Sequence, residues 1–233
     1  MSNRDAVLTA IRRGLRRGPL APDLAETLRA RMRAHPRHLI PARARLPYPE
    51  QVSLFAANVE REFGTVIRVA DAGEVPEAVA QYLAAQNLPS SLVMAPHPAL
   101  RALDWASRPM LAIREGRASE NDTVSLQHGF AGIAETGTIM LPSGPERPNT
   151  LNLLAETEIV LLSATRIVGA YEDAWDLLRA ETGGAMPRTV MLVTGPSRSA
   201  DIEQALELGA HGPRRLHVIL LDDQPRERSD GRS

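Results

Sequence analysis

The chain is predicted to be an α/β protein, with a mainly parallel sheet covered by helices and an N-terminal helical arm. Three observations carry this. Strand-sized apolar runs alternate with segments of helical period. Ile159 to Leu162 and Val218 to Leu221 are continuously apolar, as expected of strands buried on both faces. A proline-punctuated stretch, His35 to Pro49, separates this pattern from the start of the chain.

In order, Val7, Leu8, Ile11 and Leu15 fall at helical spacing, and Leu24, Leu28 and Met32 repeat it after Pro22. These two helices and the connector make an arm over residues 1–48. From Pro49, the spacing predicts a helix through Val52, Phe55, Val59 and Phe63, a strand Thr65 to Val69, a helix Val75 to Ala85 and a strand Ser91 to Ala95. The pattern resumes with strands at Thr138 to Leu141 and Glu158 to Leu162, a helix Tyr171 to Ala180 and a strand Thr189 to Thr194. A helix Ala200 to Leu208 and a strand Leu216 to Leu221 complete an α/β domain over residues 49–222. Asp222 to Ser233 reads as a polar, disordered tail, of which residues 223–233 lie beyond the domain.

Composition removes several chemistries. The chain has no cysteine, and all 27 basic residues are arginine. Without thiolate there is no cysteine nucleophile, disulfide or cysteine-ligated cluster. Lacking lysine, the chain offers no Schiff base, no covalently held pyridoxal phosphate and no phosphate-loop lysine. His35, His38, His97, His128, His211 and His217 show no metal-ligand spacing. No cofactor is expected to be covalently bound, and no metal site is expected. No run approaches the roughly 20 apolar residues of a membrane span, and Met1 to Leu15 lacks the apolar core of a signal peptide. A cytoplasmic location follows as the expectation. The first 48 residues hold eleven arginines against Asp5, Asp23 and Glu26, a local charge of +8 in a chain of net charge −1. Scarce aromatics argue against specific nucleic-acid binding by this arm.

Two segments carry candidate chemistry. In Gly132-Ile133-Ala134-Glu135-Thr136-Gly137-Thr138, Glu135 stands among small and apolar neighbours, where desolvation favours a general acid or base. Gly137 would let backbone approach a ligand, and Thr136 and Thr138 add hydroxyls. In Thr194-Gly195-Pro196-Ser197-Arg198-Ser199-Ala200-Asp201, a strand, turn and helix start are predicted, with Ser197 or Ser199 as N-cap and Arg198 beside an anion-binding helix end. Asp201 and Glu203 would oppose such an anion. The same stretch resembles a nucleophile elbow whose last glycine is replaced by Ser199, with Asp201 and His211 or His217 downstream. His211, flanked by Gly209 and Gly212, could face a pocket or brace its loop. Ligands of open α/β sheets gather at the carboxyl ends of the strands, so both segments are expected there, with Glu135 within reach of Ser197 to Ser199 or of His211.

Taken together, Ala134-Glu135-Thr136-Gly137-Thr138 and the later Gly195-Pro196-Ser197-Arg198-Ser199-Ala200-Asp201-Ile202-Glu203 with Gly209-Ala210-His211-Gly212-Pro213 resemble the two signatures of the LutC/YkgG group of LUD-domain proteins. The resemblance spans Pro49 to Leu221, and the helix Arg4 to Leu15 is similar to the family's start. It implies a NagB/RpiA/CoA transferase-like fold and a role in oxidising L-lactate to pyruvate. Iron–sulfur clusters would sit only in LutA-like and LutB-like partner proteins. This chain would be an accessory or ligand-binding component, taking a small carboxylate or phosphate through Glu135, Thr136, Gly137, Thr138, Gly195, Ser197, Arg198, Ser199, His211 and Gly212, with Glu135 the catalytic candidate. The alternatives are a free-standing CoA-transferase-like enzyme using Glu135 on an anionic molecule, or a metabolite sensor without turnover. Ser199 stands where relatives more often carry threonine, and Asn152 to Glu158 lacks the proline, and often histidine, that precede the next strand in relatives.

Overall fold

A computed structural model describes residues 2–16, 18, 20–200, 206–208 and 212–223. The chain separates into two compact units, residues 1–39 and 40–233. The first contains α1 (Asn3–Gly14) and α2 (Pro22–Ala34). Ser2 caps α1 reciprocally with Asp5, its hydroxyl accepting the Asp5 N–H while the Asp5 carboxylate accepts the Ser2 N–H. Pro22 at the first turn of α2 has no N–H to leave unpaired.

The second unit is built on six parallel strands. They are β1 (Thr65–Val69), β2 (Ser91–Met94), β3 (Ala112–Glu115), β4 (Val124–His128), β7 (Thr157–Ser163) and β12 (Arg215–Leu221), in the spatial order β1-β12-β7-β4-β2-β3. The α/β class and the parallel sense are those expected from the sequence. On β12, Leu216, Val218 and Leu220 face one core, while Ile219 faces the other. This two-sided burial is why the run reads as uninterrupted apolar sequence. One face is covered by α4 (Val75–Ala85) and the single turns α5 (Pro98–Arg101) and α6 (Thr150–Leu153), through Val75, Val79, Leu83, Leu100 and Leu151. Against the other lies α3 (Tyr48–Arg61), which buries Val52, Phe55 and Val59 at helical spacing.

A second sheet packs on that same face. Its strands β5 (Ala131–Ile133), β6 (Thr138–Pro142), β8 (Ile167–Val168) and β9 (Val190–Val193) run in the order β8-β5-β6-β9, with β6 antiparallel to both β5 and β9. Ile139 and Leu141 point toward the parallel sheet, and Met140 points toward α7 (Tyr171–Thr182) with Ala174 and Leu178. Because β6 is buried on both faces, its sequence cannot reveal that its neighbours are antiparallel.

Both described ends of the helix expected over Ala200 to Leu208 are strand instead. Two short strands, β10 (Arg198–Ala200) and β11 (Leu206–Leu208), pair antiparallel, and residues 201–205 lie outside those described. Alanine, glutamate and leucine favour helix locally, but strand pairing overrides that preference. Asp222 and Asp223, expected in the polar tail, are held against the sheet. The Asp222 N–H donates to the Val69 carbonyl at 2.9 Å, and the Asp223 carboxylate accepts from Ser163 and Thr165. Residues 224–233 lie outside the described set. The connector joins the second unit at Ile40, where Ala44 is buried and its carbonyl lies so close to Gly169 that no side chain fits there.

Candidate functional site

The turn between β5 and β6 carries Glu135, Thr136 and Gly137. Glu135 is only 8% exposed. Its carboxylate accepts the Tyr171 N–H at 3.3 Å and lies 3.8 Å from the Arg43 guanidinium, while its carbonyl accepts from Arg43 Nε at 3.3 Å. A carboxylate at the first turn of α7 also meets the positive end of that helix. Gly137 adopts φ +70°, and a β-carbon there would stand 2.6 Å from the Val59 N and 2.7 Å from the Asn58 carbonyl carbon. Its freedom admits α3, not an open ligand space. Asn58 seals the contact, donating to the Ala134 carbonyl at 2.7 Å.

Thr136 and Thr138 belong to a cluster of hydroxyls. Thr138 Oγ1 lies 2.7 Å from Thr136 Oγ1, 2.8 Å from the Tyr171 hydroxyl and 2.6 Å from Thr194 Oγ1. Thr138 and Thr194 bring the two signature segments together where β6 begins and β9 ends.

The second segment lies at the opposite edge of the parallel sheet from the one expected. The Ser197 N–H donates to the Pro213 carbonyl at 2.8 Å, just ahead of β12, and Gly195, at φ +69°, packs on the Glu62 backbone just ahead of β1. Arg198 stacks on the Phe63 ring at 3.4 Å, and a β-carbon on Gly212 would lie 3.5 Å from Ser197 Cβ. These are the amino ends of β1 and β12. The expectation of a carboxyl-edge position treated β9 as a member of the parallel sheet, whereas β9 pairs antiparallel with β6. Since β10 follows in place of a helix, Ser197 and Ser199 are not helix caps, and Arg198 does not flank a helix start. Ser199 takes part in β10 through its backbone, opposite Glu207. His211 lies outside the described residues.

Polar groups that the sequence did not single out lie in the sheet. Glu158 is fully buried on β7; Gln127 and Asn152 donate to its Oε1 at 2.6 and 3.0 Å, and Oε2 has no partner among the described residues. Desolvation pushes its pKa up to about 8, against the smaller lowering effect of the Gln127 hydrogen bond, so at neutral pH it is a carboxylic acid. At the carboxyl edge, the rings of His97 and His128 stack with centroids 4.1 Å apart and planes 6° apart. Arg147 reaches both histidines, donating from Nε to the His128 carbonyl at 3.1 Å and placing Nη2 3.0 Å from His97 Nε2. No motif signals this trio, because its members are single residues from three separate parts of the chain, one after β2, one at the end of β4 and one after β6. Among the described residues, no three histidine, aspartate or glutamate side chains are grouped to hold a metal ion. Nor is any described helix long and apolar enough to cross a membrane.

Comparison with known proteins agrees with this architecture. A crystal structure of a DUF162 family protein from Deinococcus radiodurans superposes with a TM-score of 0.58, covering 76% of this chain and 99% of that one. At 20% identity, this likeness concerns the fold. An uncharacterized protein of Neisseria meningitidis is 40% identical over 101 residues, 42% of this chain and 43% of that protein. Lactate utilization protein C of Geobacillus kaustophilus is 30% identical over 137 residues, covering 58% of this chain and 57% of that one. The protein of the same name from Bacillus subtilis is 33% identical over 110 residues, 46% of each chain. The chain thus spans about half the length of the curated relatives it matches. The LUD domain model matches residues 52–221, which takes in the parallel sheet, the antiparallel sheet and both signature segments, and on that match the chain belongs to the LUD domain family.

Proposed function

We propose that this chain serves lactate utilisation as an accessory, ligand-binding component, working with LutA-like and LutB-like iron–sulfur proteins that carry the electrons. The observation that carries this reading is the similarity of its LUD domain to proteins named lactate utilization protein C. Composition supports the division of labour, since a chain without cysteine has no thiolate with which to ligate a cluster. A cytoplasmic location fits the same reading.

The ligand in this reading is a small carboxylate or phosphate met by the signature residues, with Glu135 as the member closest to chemistry. Its carboxylate is nearly buried, held by the Tyr171 N–H and approached by Arg43, while the Tyr171 hydroxyl joins those of Thr136 and Thr138. Thr194 ties the Gly195 to Ser199 segment to that cluster, and Gly212 stands beside Ser197.

Deleting the gene in its native host and measuring growth on L-lactate as sole carbon source tests the role. Growth should fail and return with the wild-type gene, but not with Glu135→Gln. Unchanged growth of the deletion strain on L-lactate would remove the lactate reading.

A further inference from the structure

The crevice between the carboxyl ends of β2 and β4 has the features of an anion site, and no signature residue lies in it. These strands are hydrogen-bonded neighbours, yet the chain leaves them in opposite directions. From β2 it passes through α5 to β3 at the outer edge, and from β4 it passes through the antiparallel sheet to β7 on the inner side. Such a divergence opens the crevice in which open α/β sheets hold their ligands. His97 follows β2, His128 closes β4, and the loop after β6 delivers Arg147 between them.

The hydrogen bonding around His97 is incomplete as it stands. Its Nδ1 accepts the Ala99 N–H at 3.2 Å. A neutral imidazole carries a single N–H, so the proton must sit on Nε2. There it faces an N–H of Arg147 Nη2 at 3.0 Å, donor against donor. Moving the proton to Nδ1 only transfers the conflict to the Ala99 N–H, and protonating the ring adds charge to the confrontation. Burial, and then the Arg147 charge, hold the His97 pKa below the usual histidine range, so the neutral ring prevails. The Glu146 carboxylate stops 3.8 Å from His97 Nε2, beyond hydrogen-bond distance, and is 52% exposed. Arg147 is itself largely desolvated, which pushes its pKa down, and no carboxylate lies within 4.0 Å of it among the described residues. A part-buried guanidinium, which Glu146 and Glu181 act on only from beyond ion-pair distance, faces a second donor, an arrangement that an oxyanion accepting from both would relieve.

We propose that this crevice binds a small monocarboxylate, one oxygen accepting from both His97 Nε2–H and Arg147 Nη2 from the side and the other lying on the guanidinium. Arg147 also lines a groove of about 420 Å³ with Arg117, Ser143, Asn149 and Thr150, while His97 and His128 stand outside it, so the guanidinium is the group shared by the anion position and that space. Carboxylate and phosphate share the required oxygen geometry, and Glu146 separates them, because its negative charge close to His97 opposes a dianion more than a monoanion. The inference does not depend on the lactate reading, since it rests on this crevice alone.

The test is calorimetric titration of the full chain with sodium acetate, sodium L-lactate and inorganic phosphate, at fixed ionic strength made up with chloride. Saturable binding of a carboxylate, weaker binding of phosphate and no binding of chloride are expected. Arg147→Gln should weaken carboxylate binding at least tenfold. His97→Asn, which keeps a side-chain acceptor for the Ala99 N–H but removes the Nε2 donor, should weaken it several-fold. Glu146→Gln, at an exposed position that leaves folding intact, should strengthen it several-fold and narrow the gap to phosphate. The proposal is overturned if neither wild type nor Glu146→Gln binds a carboxylate, or if phosphate binds more tightly than both carboxylates. It is equally overturned if Glu135→Gln abolishes binding while folded Arg147→Gln retains it, for then the anion sits among the signature residues. Growth on lactate is a separate readout, so failure here leaves the lactate role standing.

Discussion

Thr138 Oγ1 lies 2.6 Å from Thr194 Oγ1, joining residues 56 positions apart and making one cluster of the two signature segments. Thr138 is fully buried and has three hydroxyl neighbours. Thr138→Val keeps the shape of the side chain and removes the shared oxygen. Urea unfolding should show a loss of about 0.5–1.5 kcal/mol, the net contribution of a hydrogen bond, because Thr136, Tyr171 and Thr194 still reach solvent. Unchanged stability would mean that the cluster is not a brace.

Glu135→Gln should leave the fold nearly as stable as before. The glutamine oxygen still accepts the Tyr171 N–H, and the substitution removes only a 3.8 Å ion pair with an Arg43 side chain that is 60% exposed. The pair is long and its Arg43 end is in solvent, so its contribution is about 0–1 kcal/mol and the melting curve should move little. A large loss of stability would mark Glu135 as a structural residue and weaken its place in the proposed function.

Gly137→Ala should destabilise strongly. At φ +70° an L side chain costs about 1–2 kcal/mol, and its β-carbon would press on the backbone of Asn58 and Val59. With the repacking cost added, a loss of about 2–4 kcal/mol is expected. A thermal melt within a degree of wild type would show that α3 can step aside.

Three buried groups give the stability a definite pH dependence. Desolvation holds His128 at about 3 and His217 at about 4, while Glu158 is pushed up to about 8. Below about pH 6.5 the unfolded histidines take up protons that the folded ones refuse, so stability falls as pH drops toward 4. Above about pH 4.3 the unfolded glutamate loses a proton that the folded one keeps, so stability also falls as pH rises toward 8. Two histidines outweigh one glutamate in acid, and these groups place the maximum near pH 6.5. Glu158→Gln should flatten the alkaline limb, whose slope is at most about 1.4 kcal/mol per pH unit for one proton. If the variant and wild type lose stability in parallel between pH 6.5 and 8, Glu158 is ionised in the folded chain.

What the sequence made legible was whatever it encodes locally. Val52, Phe55 and Val59 announce α3 by spacing, and the apolar runs announce β7 and β12. Strand sense is not a local property when both faces are buried, so Ile139 to Leu141 and Val190 to Val193 gave no hint of an antiparallel sheet. Counting β9 among the parallel strands places the Gly195 to Arg198 turn at the carboxyl edge, whereas its antiparallel pairing with β6 puts the turn at the amino ends of β1 and β12. The contribution of Arg147 was hidden for a related reason. It meets His97 across 50 positions of sequence, and what distinguishes the meeting, two donors with no acceptor between them, exists only in three dimensions.

The position of β12 bears on synthesis as well as on structure. It is inserted between β1 and β7, and among the described residues β1 has no other strand beside it, so Thr65 waits for His217, 152 positions later, before its strand can pair. On the ribosome the emerging chain must therefore carry α3, β1 and an open β7 edge unpaired until almost all of the domain has been translated. A premature stop after β7 and before residue 215 would release a product in which β1 and β7 both lack the strand that lies between them, a substrate for chaperones or for aggregation.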